Sequence, residues 1–232
     1  MIPPIRLFLA AGVATSPNFM EEFRCELQSR MESQSIVVES ELAHPYGYWS
    51  RPLSAQLREA GRDLRRGASG YRESIGGARL LEAIDAHPSS QSGQSWQTVL
   101  IGHSAGGTAA VHAAMRLRER SASAGPCLVV MIGSPRFRIP AELREHIYYL
   151  YAAGAADPIP RIGAFSGWGI RRQAPRAVTR LPIVGGHADY FRGGEGFRNA
   201  SGHSNLTITL DRVWTWLMER LIVDNGGDES CE

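Results

Sequence analysis

Thr98-Val99-Leu100-Ile101-Gly102-His103-Ser104-Ala105-Gly106-Gly107-Thr108-Ala109-Ala110 is the stretch from which the rest of the chain is read. A short β-branched and apolar run leads in, and an alanine-rich stretch of helical character leads out through Ala113 and Met115. The pattern is strand, sharp turn, helix, with Ser104 at the apex of G-x-S-x-G. An apical serine lifted clear of a sheet needs a strained backbone, and the chain on either side must then pass close to itself. Gly102 and Gly106 lack the Cβ atoms that would collide there. Gly107 adds room for the helix to pack.

This passage resembles the nucleophile elbow of the α/β-hydrolase family, whose lipases and esterases often carry GHSAGG or a close relative. The resemblance implies an α/β fold and a triad of serine, histidine and an acid.

The chain of 232 residues suffices for one sizeable core and is short for two domains. Its net charge of +2 comes from scattered arginines balanced by acids, which is no nucleic-acid footprint. Cys25, Cys127 and Cys231 are odd in number and widely spaced, with neither metal spacing nor a disulfide framework. That usage suits a reducing compartment, and a cytoplasmic location is expected. Ile5 to Ala14 is short and apolar, but no charged side chain precedes it and Arg6 interrupts it, so a strand is expected in place of a signal segment. No apolar run approaches the length of a membrane span.

In chain order, Ile5–Ala10 reads as a buried strand. Asn18 to Met31 reads as a helix with Phe19, Phe23, Leu27 and Met31 on one face and Asn18 as its cap. Ser35–Glu39 reads as a second strand, and His44–Trp49 as an aromatic loop. Residues from about Leu53 to Ala86 are mostly helical with a break at Gly67 to Gly70, and a polar connection runs from Pro88 to Ser95. After the elbow helix, which ends near Arg120, Ser121–Gly125 is a loop. Cys127–Ile132 has the continuous apolar character of a central parallel strand. His146–Ala152 is another strand, and Arg176–Leu181 a weaker one, ending there or extending to Val184. The last helix is expected from near Leu210 to Val223, with Asp211 in its first turn. Strand–helix alternation predicts an α/β fold: a doubly wound, mostly parallel sheet of about six strands with helices on both faces. It resembles the α/β-hydrolase core without its first antiparallel strands. Residues 1–224 are read as one domain, and 225–232 as a flexible acidic tail.

A serine hydroxyl is a poor nucleophile near neutral pH unless a base takes its proton and an acid orients the base. In the resembled family the order is serine, acid, histidine. Asp157 follows the strand ending near Ala153, so it falls at the carboxyl edge of the sheet, where open α/β folds bind ligands. Its Asp-Pro pair resembles the family's acid loop; an ordinary turn before Pro158 is the plain alternative. Asp189 is a weaker acid, two residues from His187 and directed away from that ring. Two histidines compete as base. His187 leaves the last strand through Gly185-Gly186, and His203 precedes the last helix; both resemble the family's terminal Gly-His loop, and His187 is preferred. His103 points the wrong way to act as base, and His112 is read as packing.

The oxyanion donors are expected to be the backbone N–H groups of Ala105, at a helix start, and of Val13, in the loop after the first strand, with Ala14 next. Only Gly133 to Glu145 separates two successive strands, too little for a cap domain. Tyr46–Trp49, Pro135–Phe137 and Ile159–Gly169, with Phe165 and Trp168, could wall a pocket or simply pack. The leading expectation is a serine hydrolase of carboxylic esters, esterase- or lipase-like, acting on a small-molecule ester or acyl substrate and needing no metal or organic cofactor. A thioesterase or acyltransferase with the same triad, or a binding protein that keeps the fold, are the alternatives. Oligomeric state is not legible.

Overall fold

Side-chain alternation along the strands fixes the layers. The computed structural model describes residues 2–91, 95–120, 126–153, 157–163, 168 and 173–226, and side chains only as far as Ile222. The loop expected at Ser121–Gly125, the residues Gly154–Ala156, Phe165, Gly169 and Cys231, and residues 227–232 of the expected tail lie outside the described residues. The strands are β1 (Ile5–Ala10), β2 (Val38–Ala43), β3 (Gln97–His103), β4 (Leu128–Ile132), β5 (Ile147–Ala152) and β6 (Ala177–Leu181). They form one sheet in the order β2-β1-β3-β4-β5-β6, parallel at every pairing.

The central strands bury both faces, which is why they read as unbroken apolar runs. Leu7, Leu9, Val99, Ile101, Leu128, Val130 and Ile132 face one core. That core also takes Phe23, Leu27 and Met31 from α1 (Glu21–Ser33) and Leu210, Val213, Leu217 and Leu221 from α5 (Asn205–Gly226). Phe8, Ala10, Leu100, Val129 and Met131 face the other, against α3 (Ile75–Ala86) and α4 (Ala105–Arg120). Helix α2 (Leu53–Arg66) lies outside α3 and α4 and buries only Gln56 and Asp63. Asp63 joins these helices: it accepts hydrogen bonds from Tyr46 Oη, Ser74 Oγ and the Ile75 and Gly76 N–H groups. Four donors satisfy a carboxylate that burial would otherwise penalise heavily.

The fold class is as expected, with three local shifts. Helix α1 starts at Glu21, and Asn18 does not cap it; its side chain accepts from Ser16 Oγ in the preceding turn. β2 begins three residues later than expected, because Ser35 turns the chain at φ +58° and Val37 is 63% exposed. As an edge strand β2 carries Glu39-Ser40-Glu41, which hides it from a search for apolar runs. Helix α5 begins at Asn205, five residues before the expected Leu210, where the Thr207 N–H donates to Ser204 Oγ in an N-cap bond. It runs through Gly226, two residues into the expected tail. β4 and β5 are joined by residues 133–146, whose only regular element is a short turn of 3₁₀ helix, leaving no cap domain at that point. Among the described residues no helix is long and apolar enough to cross a membrane.

At the β3–α4 turn, the chain meets itself. A Cβ on Gly102 would stand 2.4 Å from the Gly106 backbone, and one on Gly106 would stand 2.0 Å from the Ala10 carbonyl oxygen. Both obstacles are main chain and cannot rotate aside. Gly106→Ala is therefore expected to cost more than about 3 kcal/mol, measured by urea unfolding. The core also holds His103 and His112, whose buried Nδ1 atoms have no partner among the described residues. Burial lowers them to about 3 and about 4. The unfolded chain takes up protons below its ordinary histidine value of about 6.5, and the native state cannot, so stability falls as the pH drops. Between about pH 6 and 5 each imidazole should contribute a slope approaching about 1.4 kcal/mol per pH unit, and the His112 share fades as the pH nears its native value of about 4. Urea unfolding at a series of pH values checks this, and His112→Phe should remove about half of that histidine slope.

Candidate active site

β1 and β3 lie side by side, but the chain leaves them toward opposite faces of the sheet, through α1 and through α4. This reversal opens a crevice at their carboxyl ends. Ser104 stands there at φ +55°, a conformation that non-glycine residues seldom adopt. Its N–H is held by the Ile132 carbonyl at 3.0 Å, and its carbonyl accepts from the Gly107 N–H at 3.1 Å. The loop after β1 passes directly against it. A Cβ on Gly12 would sit 2.7 Å from Ser104 Cβ and 3.3 Å from its Oγ.

Val13 packs against the small cluster of Tyr46, Ala105 and Ala109, so the two expected oxyanion positions meet in one patch. Among the described residues neither the Val13 nor the Ala105 N–H has an acceptor. Ala105 is the first residue of α4, where the helix dipole favours negative charge. Ala14, the second choice, is different: its N–H donates to Gln56 Oε1 at 2.9 Å. Gln56 is fully buried and its amide also donates to the Tyr48 and Arg51 carbonyls, tying this loop to the aromatic one.

Asp157 is 3% exposed and sits beyond β5. His187 donates from Nδ1 to Asp157 Oδ1 at 2.9 Å, and the Ile159 N–H donates to the same oxygen at 3.0 Å. Tyr190 Oη donates to Oδ2 at 2.6 Å while accepting the Ala152 N–H at 2.8 Å. Burial opposes the charge on Asp157, but the hydrogen bonds from His187 and Tyr190 outweigh it and hold the carboxyl below its ordinary value. Burial, and then the facing carboxylate, push Tyr190 well up, so its phenol stays a donor. With its Nδ1 proton committed to Asp157, a neutral His187 keeps Nε2 as an acceptor. The His187 side chain is 26% exposed. Gly133 is required beside this pair: its φ is +55°, and a Cβ there would meet the Tyr190 ring at 2.8 Å and Asp157 Oδ2 at 3.1 Å.

Of the two candidate histidines, the structure brings His187 and not His203 to Asp157. His203 is exposed, and its backbone N–H and carbonyl bond with Asn199. Asp189 accepts the Gly186 N–H and shapes the turn before His187. His112 donates from Nε2 to the Gly67 carbonyl, as a packing role requires. Of the possible wall residues, Tyr46 and Phe137 are buried packing, whereas Tyr48 and Trp49 are 46% and 70% exposed. Trp168 donates to the Phe137 carbonyl and packs edge-on against Tyr149.

Sequence reading missed Tyr190, Gln56 and Asn205. Asn205 Nδ2 donates to the Val184 and Asp189 carbonyls, and its Oδ1 accepts the Val184 N–H, bracketing the His187 loop. Only Tyr190 left a trace, in its position three residues after His187.

No protein-family model matches the chain, and no curated protein matches it in sequence. Among solved structures, a dienelactone hydrolase from Anabaena variabilis superposes with a TM-score of 0.51 at 16% identity, over 94% of this chain and 87% of that one. An extracellular α/β-hydrolase from a Paenibacillus species gives a TM-score of 0.45 at 13% identity, over 97% of this chain and 100% of its own. A metagenomic carboxyl esterase gives 0.41 at 12% identity, over 97% of this chain and 77% of its own. With its sheet order, the serine turn after β3 and the first of these likenesses, the chain has the fold of the α/β-hydrolases.

Proposed function

We propose that this protein is a serine hydrolase of carboxylic esters, working through an acyl-enzyme. One observation carries the reading: a buried carboxylate at the end of β5 holds the Nδ1 proton of a partly exposed histidine, in a fold whose β3–α4 turn bears a positive-φ serine. Ser104 is the nucleophile, His187 the base and Asp157 the residue that orients it.

In the first half of the cycle, His187 Nε2 takes the hydroxyl proton as Ser104 Oγ attacks the acyl carbonyl. Asp157, already charged, stabilises the imidazolium that forms. The Val13 and Ala105 N–H groups receive the oxyanion, a contribution of about 3–4 kcal/mol per donor in comparable sites. His187 returns the proton to the departing alcohol. In the second half, water gives a proton to His187 and attacks the acyl group, releasing the acid and restoring Ser104. Every proton stays within this cycle, which calls for no metal or organic cofactor. Residues 1–224 act as a single catalytic domain, and the free Cys25 and Cys127 support a reducing, cytoplasmic setting.

The test is turnover of a p-nitrophenyl acyl ester series, with thioesters and competing alcohols as further arms. Ser104→Ala and His187→Ala should each lower kcat by about 10⁴-fold or more. His203→Ala should stay within about twofold of wild type, as a surface change does. Ser104 should label with a fluorophosphonate; an unlabelled, folded wild type that turns over no ester would refute the reading. Tyr190→Phe removes a hydrogen bond to a charged group, worth about 1.5–3 kcal/mol. It should therefore lower kcat about tenfold with KM little changed, and lower the unfolding free energy by a similar energy.

A further inference from the structure

His103 precedes Ser104 in the chain, and β3 alternation turns its side chain to the Val99 and Ile101 face, where the His187 loop packs. Its Nε2 lies 2.9 Å from the His187 carbonyl oxygen. A carbonyl can only accept, so the ring must carry its proton on Nε2. The two imidazoles also stack, with centroids 4.6 Å apart and planes inclined by 29°. Phe19, Tyr190 and Phe191 close the remaining sides of the His103 ring, which is 2% exposed.

We infer that His103 is a positioning residue: its Nε2–H bond to the His187 carbonyl fixes the base at a set separation from the neighbouring Ser104. The inference rests on the Ser104–His187–Asp157 reading above. A packing role alone does not explain the residue. Within a cage of three aromatic rings a phenyl group would fill the same space, and the imidazole leaves its Nδ1 buried with no partner among the described residues. An unpaired buried nitrogen costs stability. The feature that an imidazole adds over a phenyl ring is the Nε2 donor, and that donor is spent on the backbone of His187. Because burial lowers His103 to about 3, it stays neutral while His187 gains and loses a proton. The stacked neighbour therefore adds no positive charge against the imidazolium.

The geometry makes the link short. Ser104 is covalently joined to His103, and one side chain then spans to the backbone of the base. Asp157 sets the direction of the His187 ring; His103 sets where its main chain stands. A misplacement of about 1 Å in such a pair can cost about a hundredfold in rate.

The test compares His103→Phe, which keeps the ring and removes the donor, with His103→Gln, whose amide can reach the same carbonyl. His103→Asn serves as a polar variant too short to reach. Two readouts are taken beside thermal melting: kcat and KM on the best ester, and the NMR resonance of the His187 Nδ1 proton in its bond to Asp157. The Phe and Asn variants should lose about 10- to 100-fold in kcat with KM within about threefold, and the resonance should broaden or vanish. The Gln variant should recover most of both. If His103→Phe does not fold, the Gln and Asn pair decides alone. Unchanged kcat and resonance in the donor-free variants would overturn the inference, as would a Gln variant no better than Asn at equal melting temperature. If wild type neither labels nor turns over esters, the hydrolase reading fails, and the resonance still decides whether His103 holds His187.

Discussion

The buried Asp157 carboxylate is the constraint around which the site is assembled. A charge taken out of water must be met by donors or it will protonate. Here the donors come from the Ile159 N–H, His187 and Tyr190. Two of the three belong to one irregular segment, so satisfying the charge also fastens that segment beside β5. The Ala152 N–H completes the chain by bonding Tyr190 Oη, which ties the segment to the strand itself. Stability and the proposed chemistry therefore draw on the same hydrogen bonds.

The second organising fact is where the sheet reverses. The loops from β1 and β3 meet because those strands are neighbours whose connections run over opposite faces. Gly12 meets Ser104 there, and Gly106 meets the Ala10 carbonyl still more closely. Neither contact tolerates a side chain, which is why this part of the molecule is written in glycine and alanine.

Much of this was legible in residues alone. The central strands announced themselves because both of their faces are buried, and the serine turn because its glycines have no substitute. Edge strand β2 was displaced in the reading because one side of it meets solvent and its acids break the apolar run. The start of α5 was missed because Ser204, Asn205 and Thr207 look like a loop, although they are a cap and a buried bracket. At the site, chain order and strand position pointed to Asp157. They could not separate His187 from His203, since a Gly-His pair looks alike in either loop; only the reach to a buried oxygen distinguishes them. Gln56 acts through side-chain bonds to main-chain groups far away in sequence, which no local pattern encodes.

The segment from Val184 to Tyr190 has no regular secondary structure, yet side chains from other elements grip its carbonyls. Asn205 holds those of Val184 and Asp189, His103 that of His187, and Thr209 that of Tyr190. A stretch with the outline of a loop is thereby given the rigidity of a strand without any ladder. It should exchange its amide hydrogens in concert with the opening of α5 and β3, not independently of them. Evolution can then loosen or stiffen it one external grip at a time, without rewriting the loop.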